Sequence, residues 1–148
     1  MTDGKVVAVC ISEAKGTPKR PMPSGTFVKE WGLEGDAHVG NWHRQVSLLA
    51  MESIEKMLAL GADVEPGSFA ENITTKGVEL VSLPIGTQLR IGEALLEVTQ
   101  IGKVCHGHCA IYEQVGDCIM PREGIFVRVL EPGEVSAGDP IVVLGNGE

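Results

Sequence analysis

Positive charge and long apolar runs are both scarce in this sequence of 148 residues. Lysine and arginine together number 12 against 20 aspartate and glutamate residues, which gives a formal net charge of −8. An acidic chain without a run of basic residues argues against nonspecific binding to nucleic acid. No apolar run approaches the length of a membrane span, and the N-terminal residues do not have the form of a signal peptide. We therefore expect a cytoplasmic protein with no nucleic-acid or membrane partner.

Cysteine and histidine are also few, with four of each, and half of each type lies in one pentapeptide at 105–109, Cys-His-Gly-His-Cys. Thiol and imidazole groups bind soft metals and support nucleophilic or sulfur-transfer chemistry near neutral pH. Five consecutive residues cannot surround one tetrahedral ion with four ligands, and structural zinc usually takes two separated pairs. Three interpretations stay open. In the first, Cys105 is a reactive or metal-binding thiol, and Lys103 and His106 favour its thiolate form. In the second, the Cys/His cluster binds zinc. In the third, the cysteine is an unreactive residue buried in the core.

The remaining pattern predicts a mainly β domain. The length suits a single domain over residues 1–148, and the 19 glycines favour short elements joined by turns. Apolar and β-branched runs predict strands at 5–12, 26–31, 72–75, 88–91, 94–101, 125–130 and 140–144. Apolar residues at helical spacing predict one clear helix over 48–60, which Gly61 ends. Short glycine-bounded strands with one helix indicate a β-barrel with short helical insertions.

Three further groups of polar side chains are candidates for ligand binding. They are Asp36, His38, His43 and Arg44 in the segment 35–45, Glu71 and Asn72 beside a glycine-containing turn, and Arg122 and Arg128 near the strand 125–130. Arginine offers a planar fork to phosphate or carboxylate, and a carboxylate beside an amide could bind the edge of a heterocycle. Solvated loops, local turn caps and a solvated strand face explain the same residues equally simply.

The order of several short blocks resembles the MOSC domain, which is named after the C-terminal part of molybdenum cofactor sulfurases. The blocks are Gly-Leu-Glu-Gly-Asp-Ala-His at 32–38, Arg-Gln-Val-Ser-Leu-Leu at 44–49, Phe-Ala-Glu-Asn-Ile at 69–73, and Arg-Ile-Gly at 90–92 followed by a strand ending before Cys105. The resemblance extends over roughly 6–144. It implies a mostly antiparallel β-barrel and a small stand-alone protein of the bacterial type.

The resemblance also implies a cofactor and roles for individual residues. The family is associated with molybdenum cofactor, a pterin dithiolene with a phosphate, and its characteristic cysteine falls on Cys105 as sulfur carrier or metal ligand. The candidate groups for the phosphate are Arg44, Lys103, Arg122, Arg128, His38 and His43, while Asp36, Glu71 and Asn72 are candidates for the pterin. No pyridoxal-phosphate domain is expected in this chain, so it should not extract sulfur from cysteine by itself.

Three functions follow as alternatives. The first is a molybdenum cofactor-binding or sulfur-carrier protein that acts in cofactor maturation or delivery, with cofactor biosynthesis or acceptor enzymes as partners. The second is a small molybdenum-cofactor reductase of N-hydroxylated substrates, which would need an external electron donor. The third is a module that binds zinc or another metal through the Cys/His cluster. Whether the protein is an enzyme, by sulfur transfer or by reduction, stays open at this point.

Overall fold

The computed structural model describes residues 3–12, 19–37, 39–102 and 123–145. Its strands are β1 (Gly4–Ile11), β2 (Arg20–Met22), β3 (Ser24–Val28), β4 (Gly32–Leu33), β5 (Val46–Ala50), β6 (Ile73–Lys76), β7 (Gln88–Ile91), β8 (Ala94–Ile101), β9 (Ile125–Glu131), β10 (Gly133–Ser136) and β11 (Pro140–Gly145). The helix α1 spans Met51–Ala59, and a short 3₁₀ turn spans Leu80–Ser82. Within these ranges no helix is long and apolar enough to cross a membrane.

Seven strands close into a barrel in the order β11, β7, β8, β9, β5, β6, β1 and back to β11. The closure pairs β1 with β11 through Gly4 and Ile141. Neighbouring strands of the ring are antiparallel except β5 and β6, which run parallel. Strand β2 pairs with β1 beside the ring, and β10, β3 and β4 form a separate three-stranded sheet. The β-barrel prediction is therefore confirmed, with a mixed rather than purely antiparallel sheet.

Two apolar clusters hold these elements together. The larger fills the barrel with aliphatic side chains such as Leu48, Leu96 and Val127. The smaller lies between α1 and the outer face of the barrel and includes Leu49 and Phe126. Successive strand side chains point to opposite faces, so Leu48 enters the barrel while Leu49 packs beneath the helix. Both faces of β5 are consequently buried, as its uniform burial shows.

The sequence predictions differ from the structure at β5, at β2 and at the strand predicted over 26–31, which the structure places at Ser24–Val28 because 29–31 form a turn. The hairpin strands 88–91 and 94–101 are confirmed to the residue, and the strands at 5–12, 125–130 and 140–144 are confirmed to within one residue. The helix predicted over 48–60 begins only at Met51, because 48–50 complete a strand whose two buried faces give a continuous apolar run. Strand β2 is not among the predicted strands because it contains Pro21, which an edge strand tolerates.

Candidate functional site

The segment that carries Cys105 leaves and rejoins the barrel between β8 and β9. The main-chain N–H of Gly102 donates to the carbonyl of Gly124 at 2.6 Å, one step beyond the last paired residues Ile101 and Ile125. Cys105, Lys103, His106 and Arg122 lie outside the described residues, as does His38. The structure therefore defines the base of this segment, and the sequence predictions for these five residues stay predictions.

Arg44 lies at this base. Its Nε donates to Oε1 of Gln100 at 3.0 Å, and its guanidinium carbon lies 5.3 Å from the centre of the Phe126 ring. Gln100 in turn donates from Nε2 to the carbonyl of Gly102 at 2.8 Å. A cation over an aromatic face is attracted by the ring quadrupole. Arg44 is therefore held against β8 and β9 beside the residue that precedes the segment 103–122.

His43 and Arg128, both selected from the sequence, line one cleft of about 390 Å³. Trp42, Glu30 and Glu97 are among the other lining residues. The hydroxyl of Thr99 donates to the main-chain carbonyl of His43, and the imidazole contacts the Trp42 ring edge to face with 5.7 Å between centres. The cleft therefore combines an exposed aromatic ring with several ionisable side chains.

Two carboxylates surround the Arg128 guanidinium in this cleft. Its Nε donates to Oε1 of Glu97 at 2.8 Å, and its Nη1 lies 3.5 Å from Oε1 of Glu30. Gln45 orients Glu30 by donating from Nε2 to Oε2 at 3.4 Å. Two negative charges, those of Glu97 and Glu30, therefore surround the one positive charge of Arg128. This arrangement disfavours the binding of an anionic ligand at Arg128.

Asp36 is buried and belongs to a different part of the molecule. Its Oδ1 accepts hydrogen bonds from the ammonium of Lys19 at 2.7 Å and from the N–H of Ser12 at 3.1 Å. Neither Lys19 nor Asp36 exposes any of its side chain. Sequence analysis missed Lys19, because its partner lies 17 residues away and no local pattern connects the two.

Glu71 lies in the same interior region. Its Oε2 accepts from the N–H of Gly67 at 2.9 Å and from the hydroxyl of Thr74 at 2.7 Å, whereas its Oε1 is buried and has no hydrogen-bond partner in the part of the chain that the structure describes. Burial raises the pKa of the Glu71 carboxyl above its ordinary value of 4.5. Burial, followed by the nearby charge of Glu71, raises the pKa of Cys10 to about 12. Cys10 is therefore a thiol at neutral pH, as is usual for a buried free cysteine that packs as a small apolar side chain.

Asn72 connects three strands through its main chain and its amide. Its Oδ1 accepts from the N–H of Ser47 at 3.0 Å, and its Nδ2 donates to the carbonyl of Cys10 at 3.2 Å. The N–H of Cys10 donates back to the carbonyl of Asn72 at 2.7 Å. This side chain ties the start of the parallel pair β5 and β6 to β1, so its observed contacts are structural.

The described candidates thus fall into two groups. His43 and Arg128 line the cleft and Arg44 lies at the base of segment 103–122, while Asp36, Glu71 and Asn72 are at most 4% exposed. Among the residues that the structure describes, no group of three or more histidine, cysteine, aspartate or glutamate side chains could hold a metal ion. The groups predicted to bind the pterin are therefore part of the interior rather than of the cleft wall.

A closed mixed barrel with an outer helix and a cysteine-bearing segment between two ladder strands defines the class of domain. The model of the MOSC domain matches residues 35–142, and the chain belongs to this family, which is linked to molybdenum cofactor binding. The family predicted from the ordered sequence blocks is confirmed.

Individual relatives share the fold at low identity. The uncharacterized protein YflK of Bacillus subtilis is 27% identical over 146 residues, which cover 90% of this chain and 65% of that protein. The crystal structure of the YuaD protein from Bacillus subtilis has a TM-score of 0.79 and 22% identity, and the match covers 95% of this chain and 94% of the YuaD chain. The crystal structure of YiiM from Geobacillus stearothermophilus has a TM-score of 0.72 and 21% identity, and the match covers 95% of this chain and 75% of the YiiM chain.

Proposed function

We propose that this protein binds molybdenum cofactor, or carries sulfur for it, in cofactor maturation or delivery, and that Cys105 is its reactive group. Membership of a family linked to the cofactor supports the proposal. The partners would be the enzymes that build the cofactor or accept it. As a sulfur carrier, the Cys105 thiolate would attack the outer sulfur of a donor persulfide, form a new S–S bond and release the donor as its thiolate.

The observation that carries this proposal is the position of Arg44 at the base of segment 103–122. Gln100 bonds both the guanidinium of Arg44 and the carbonyl of Gly102, so the cation is fixed beside the start of that segment. Only Nε is engaged by Gln100, and the two Nη atoms supply four further N–H donors. Such a fork suits the phosphate of the cofactor. A soft thiolate in the adjoining segment would suit its molybdenum centre.

The other described residues fit the cofactor unequally. His43, next to Arg44 in sequence, could donate a further hydrogen bond to the phosphate. Arg128 is the poorer phosphate ligand because Glu97 and Glu30 already surround it. Lys103, Arg122, His38 and His106 remain proposed cofactor contacts on sequence grounds alone. A bound molybdenum centre would supply two-electron redox chemistry, and the residues of this chain would bind and orient it.

Asp36, Glu71 and Asn72 receive a positioning role in this proposal. Asp36 fixes the loop that follows β4, which runs on to His43 and Arg44, by its bonds to Lys19 and Ser12. Glu71 and Asn72 fix the start of β6 against the neighbouring chain. Replacing any of them would therefore disturb the cofactor site through the fold rather than through a lost ligand contact.

The test is elemental analysis combined with intact mass. The protein is purified without oxygen from a host that makes molybdenum cofactor, and molybdenum, tungsten and zinc are measured per chain. Wild type should retain molybdenum or tungsten, or carry the mass of one added sulfur, and Cys105→Ala should lose both. Arg44→Gln should reduce cofactor retention. Cys10→Ala is the matched control and should behave as wild type when its fold is intact.

Two results would overturn the proposal. Zinc that is retained through Cys105 and Cys109, without molybdenum, would make the protein a metal-binding module. A wild-type protein with neither metal, pterin nor persulfide, even after incubation with a low-molecular-weight persulfide, would remove the basis for a role of Cys105 in this chemistry.

A further inference from the structure

We infer that the cleft beside β8 and β9 binds a small organic cation, an ammonium group carried on a flat apolar body. Its volume of about 390 Å³ lies in the range of small-molecule sites, roughly 300–1,000 Å³. The cleft is lined by Glu30, Trp42, His43, Ile85, Glu97 and Arg128, among others. The cleft shares His43 and Arg128 with the candidate cofactor contacts, but its proposed ligand needs neither Cys105 nor Arg44, so the experiment below tests it separately from the proposed function.

The charge of the cleft favours a cation. Glu97 and Glu30 place two carboxylates around one guanidinium, so the three groups sum to a formal charge of −1 with His43 neutral. The side chains of Glu97 and Glu30 are 23% and 34% exposed, so each carboxylate contacts Arg128 and is also accessible to solvent. A carboxylate offers about four acceptor positions, and one bond to Arg128 leaves acceptors for a ligand ammonium. The net charge of −8 adds attraction at long range.

The apolar walls favour a flat body on that cation. Trp42 is 40% exposed and Ile85 62% exposed, and both line the cleft. The Trp42 main chain is fixed, since its N–H donates to the carbonyl of Gly40, and Gly40 donates to the carbonyl of Trp31. A cation near an indole face gains about 0.5–2 kcal/mol, and aromatic walls recur in sites that bind organic ammonium groups.

Arg128 has a specific part in this inference. It spaces the two carboxylates and partly neutralises them, so it lowers the affinity of the cleft for a cation. Its removal should therefore strengthen binding of a cation, whereas removal of Glu97 should weaken it. An anion site built on Arg128 would show the opposite response to both changes, which makes the pair of variants decisive.

Three probes with the same ring test the inference. They are 2-phenylethylamine, which is an ammonium ion at neutral pH, 2-phenylethanol, which is neutral, and phenylacetate, which is an anion. Each is titrated into the full-length ¹⁵N-labelled protein at low salt and followed by ¹H–¹⁵N NMR. We expect saturable one-to-one binding of the amine, about tenfold tighter than phenylacetate, with shifts at residues of the cleft.

Variants then separate the contributions. Glu97→Gln and Trp42→Leu should each weaken amine binding about three- to tenfold, and Arg128→Gln should strengthen it. Glu55→Gln removes the same charge from an exposed position on α1 and should leave the affinity unchanged. Cys105→Ala should also bind the amine as wild type does, so a failure of the proposed function would not alter this result.

Several outcomes would overturn the inference, provided that thermal melts show each variant to be folded. Equal binding of the three probes would mean apolar association only. Weaker amine binding in Arg128→Gln, or preferential binding of phenylacetate, would make this an anion site. Absence of saturable amine binding at millimolar concentration would remove the site altogether.

Discussion

The ammonium of Lys19 lies 2.7 Å from Oδ1 of Asp36, and both side chains are completely buried. The main chain of Lys19 also donates to the carbonyl of Gly67 at 2.8 Å, and Asp36 accepts from the N–H of Ser12. The pair therefore connects the loop after β4 with the end of β1 and with the loop that precedes β6. Because both side chains are buried, loss of one partner would leave the other in the interior without this ion pair.

Lys19→Met should lower the free energy of unfolding by about 3–5 kcal/mol, since it removes a buried ion pair and the hydrogen bond that the Lys19 ammonium donates to Asp36. Urea denaturation at pH 7 measures the loss. The double variant Lys19→Met/Asp36→Leu should lose less than Lys19→Met, because both charges of the pair are then removed together. Lys56→Met removes a lysine from a pair in which the Lys56 side chain is 61% exposed, and should cost at most about 1 kcal/mol. Equal losses in the two lysine variants would contradict the buried-pair argument.

Gly67→Ala should be far more costly than Gly61→Ala. Both glycines have positive φ, at 94° and 95°, so both variants incur the left-handed backbone cost of about 1–2 kcal/mol. A Cβ on Gly67 would also lie 2.2 Å from the carbonyl oxygen of Lys19 and 3.3 Å from Sγ of Cys10, whereas a Cβ on Gly61 meets nothing within 4 Å. We expect a loss above about 3 kcal/mol for Gly67→Ala in urea denaturation. Similar losses at both positions would show that the Lys19 segment moves aside without cost.

Glu71→Gln should change how stability depends on pH. Burial raises the pKa of this carboxyl, so the folded protein binds its proton more tightly than the unfolded chain does. The stability that Glu71 contributes is therefore present below the unfolded pKa and is lost as the pH rises through the folded pKa. Glutamine stays neutral, so the unfolding free energy of Glu71→Gln relative to wild type should grow with pH over that interval.

Urea denaturation at several pH values from 4 upward measures this difference. Glu65→Gln, at an exposed position of the same loop, removes the same formal charge and isolates the effect of burial. If the difference in unfolding free energy between Glu71→Gln and wild type stayed constant with pH, the Glu71 carboxyl would bind its proton equally tightly in the folded and the unfolded state.

Cys10 should resist alkylation in the folded protein. With a pKa raised to about 12, only about one Cys10 thiol in ten thousand is ionised at pH 8, and the thiolate is the nucleophile. Iodoacetamide should therefore label the Cys10 peptide in urea but not under native conditions, as measured by peptide mass spectrometry. Native labelling at the rate seen in urea would show that the thiol is accessible and ionised.

Local sequence was sufficient for the hairpin but not for β5. Alternating apolar residues around Gly92 and Glu93 specify β7 and β8, and the predicted bounds equal the observed ones. In β5 the pattern is ambiguous, because Leu48 enters the barrel and Leu49 packs under α1. Such two-sided burial removes the alternation that distinguishes a strand from the helix that follows it.

The candidate site was predictable only in part, for a related reason. His43 and Arg44 stood out in the polar segment 35–45, and the structure places Arg44 at the base of segment 103–122 and His43 next to it. The sequence did not single out Glu30, Glu97 and Trp42, because they are far from one another and from Arg128 along the chain. Only the folded barrel brings them into one cleft with Arg128. Register between distant strands depends on the whole barrel, which no short sequence pattern encodes.

The hydrogen bond between Gly102 and Gly124 has a consequence for engineering. The ladder of β8 and β9 continues to this bond, so the pairing of these two strands is complete before the chain enters segment 103–122. The cost of closing a loop rises only slowly with its length. We therefore expect connecting segments of other lengths and compositions to be exchangeable between Gly102 and Gly124 without loss of this strand pairing.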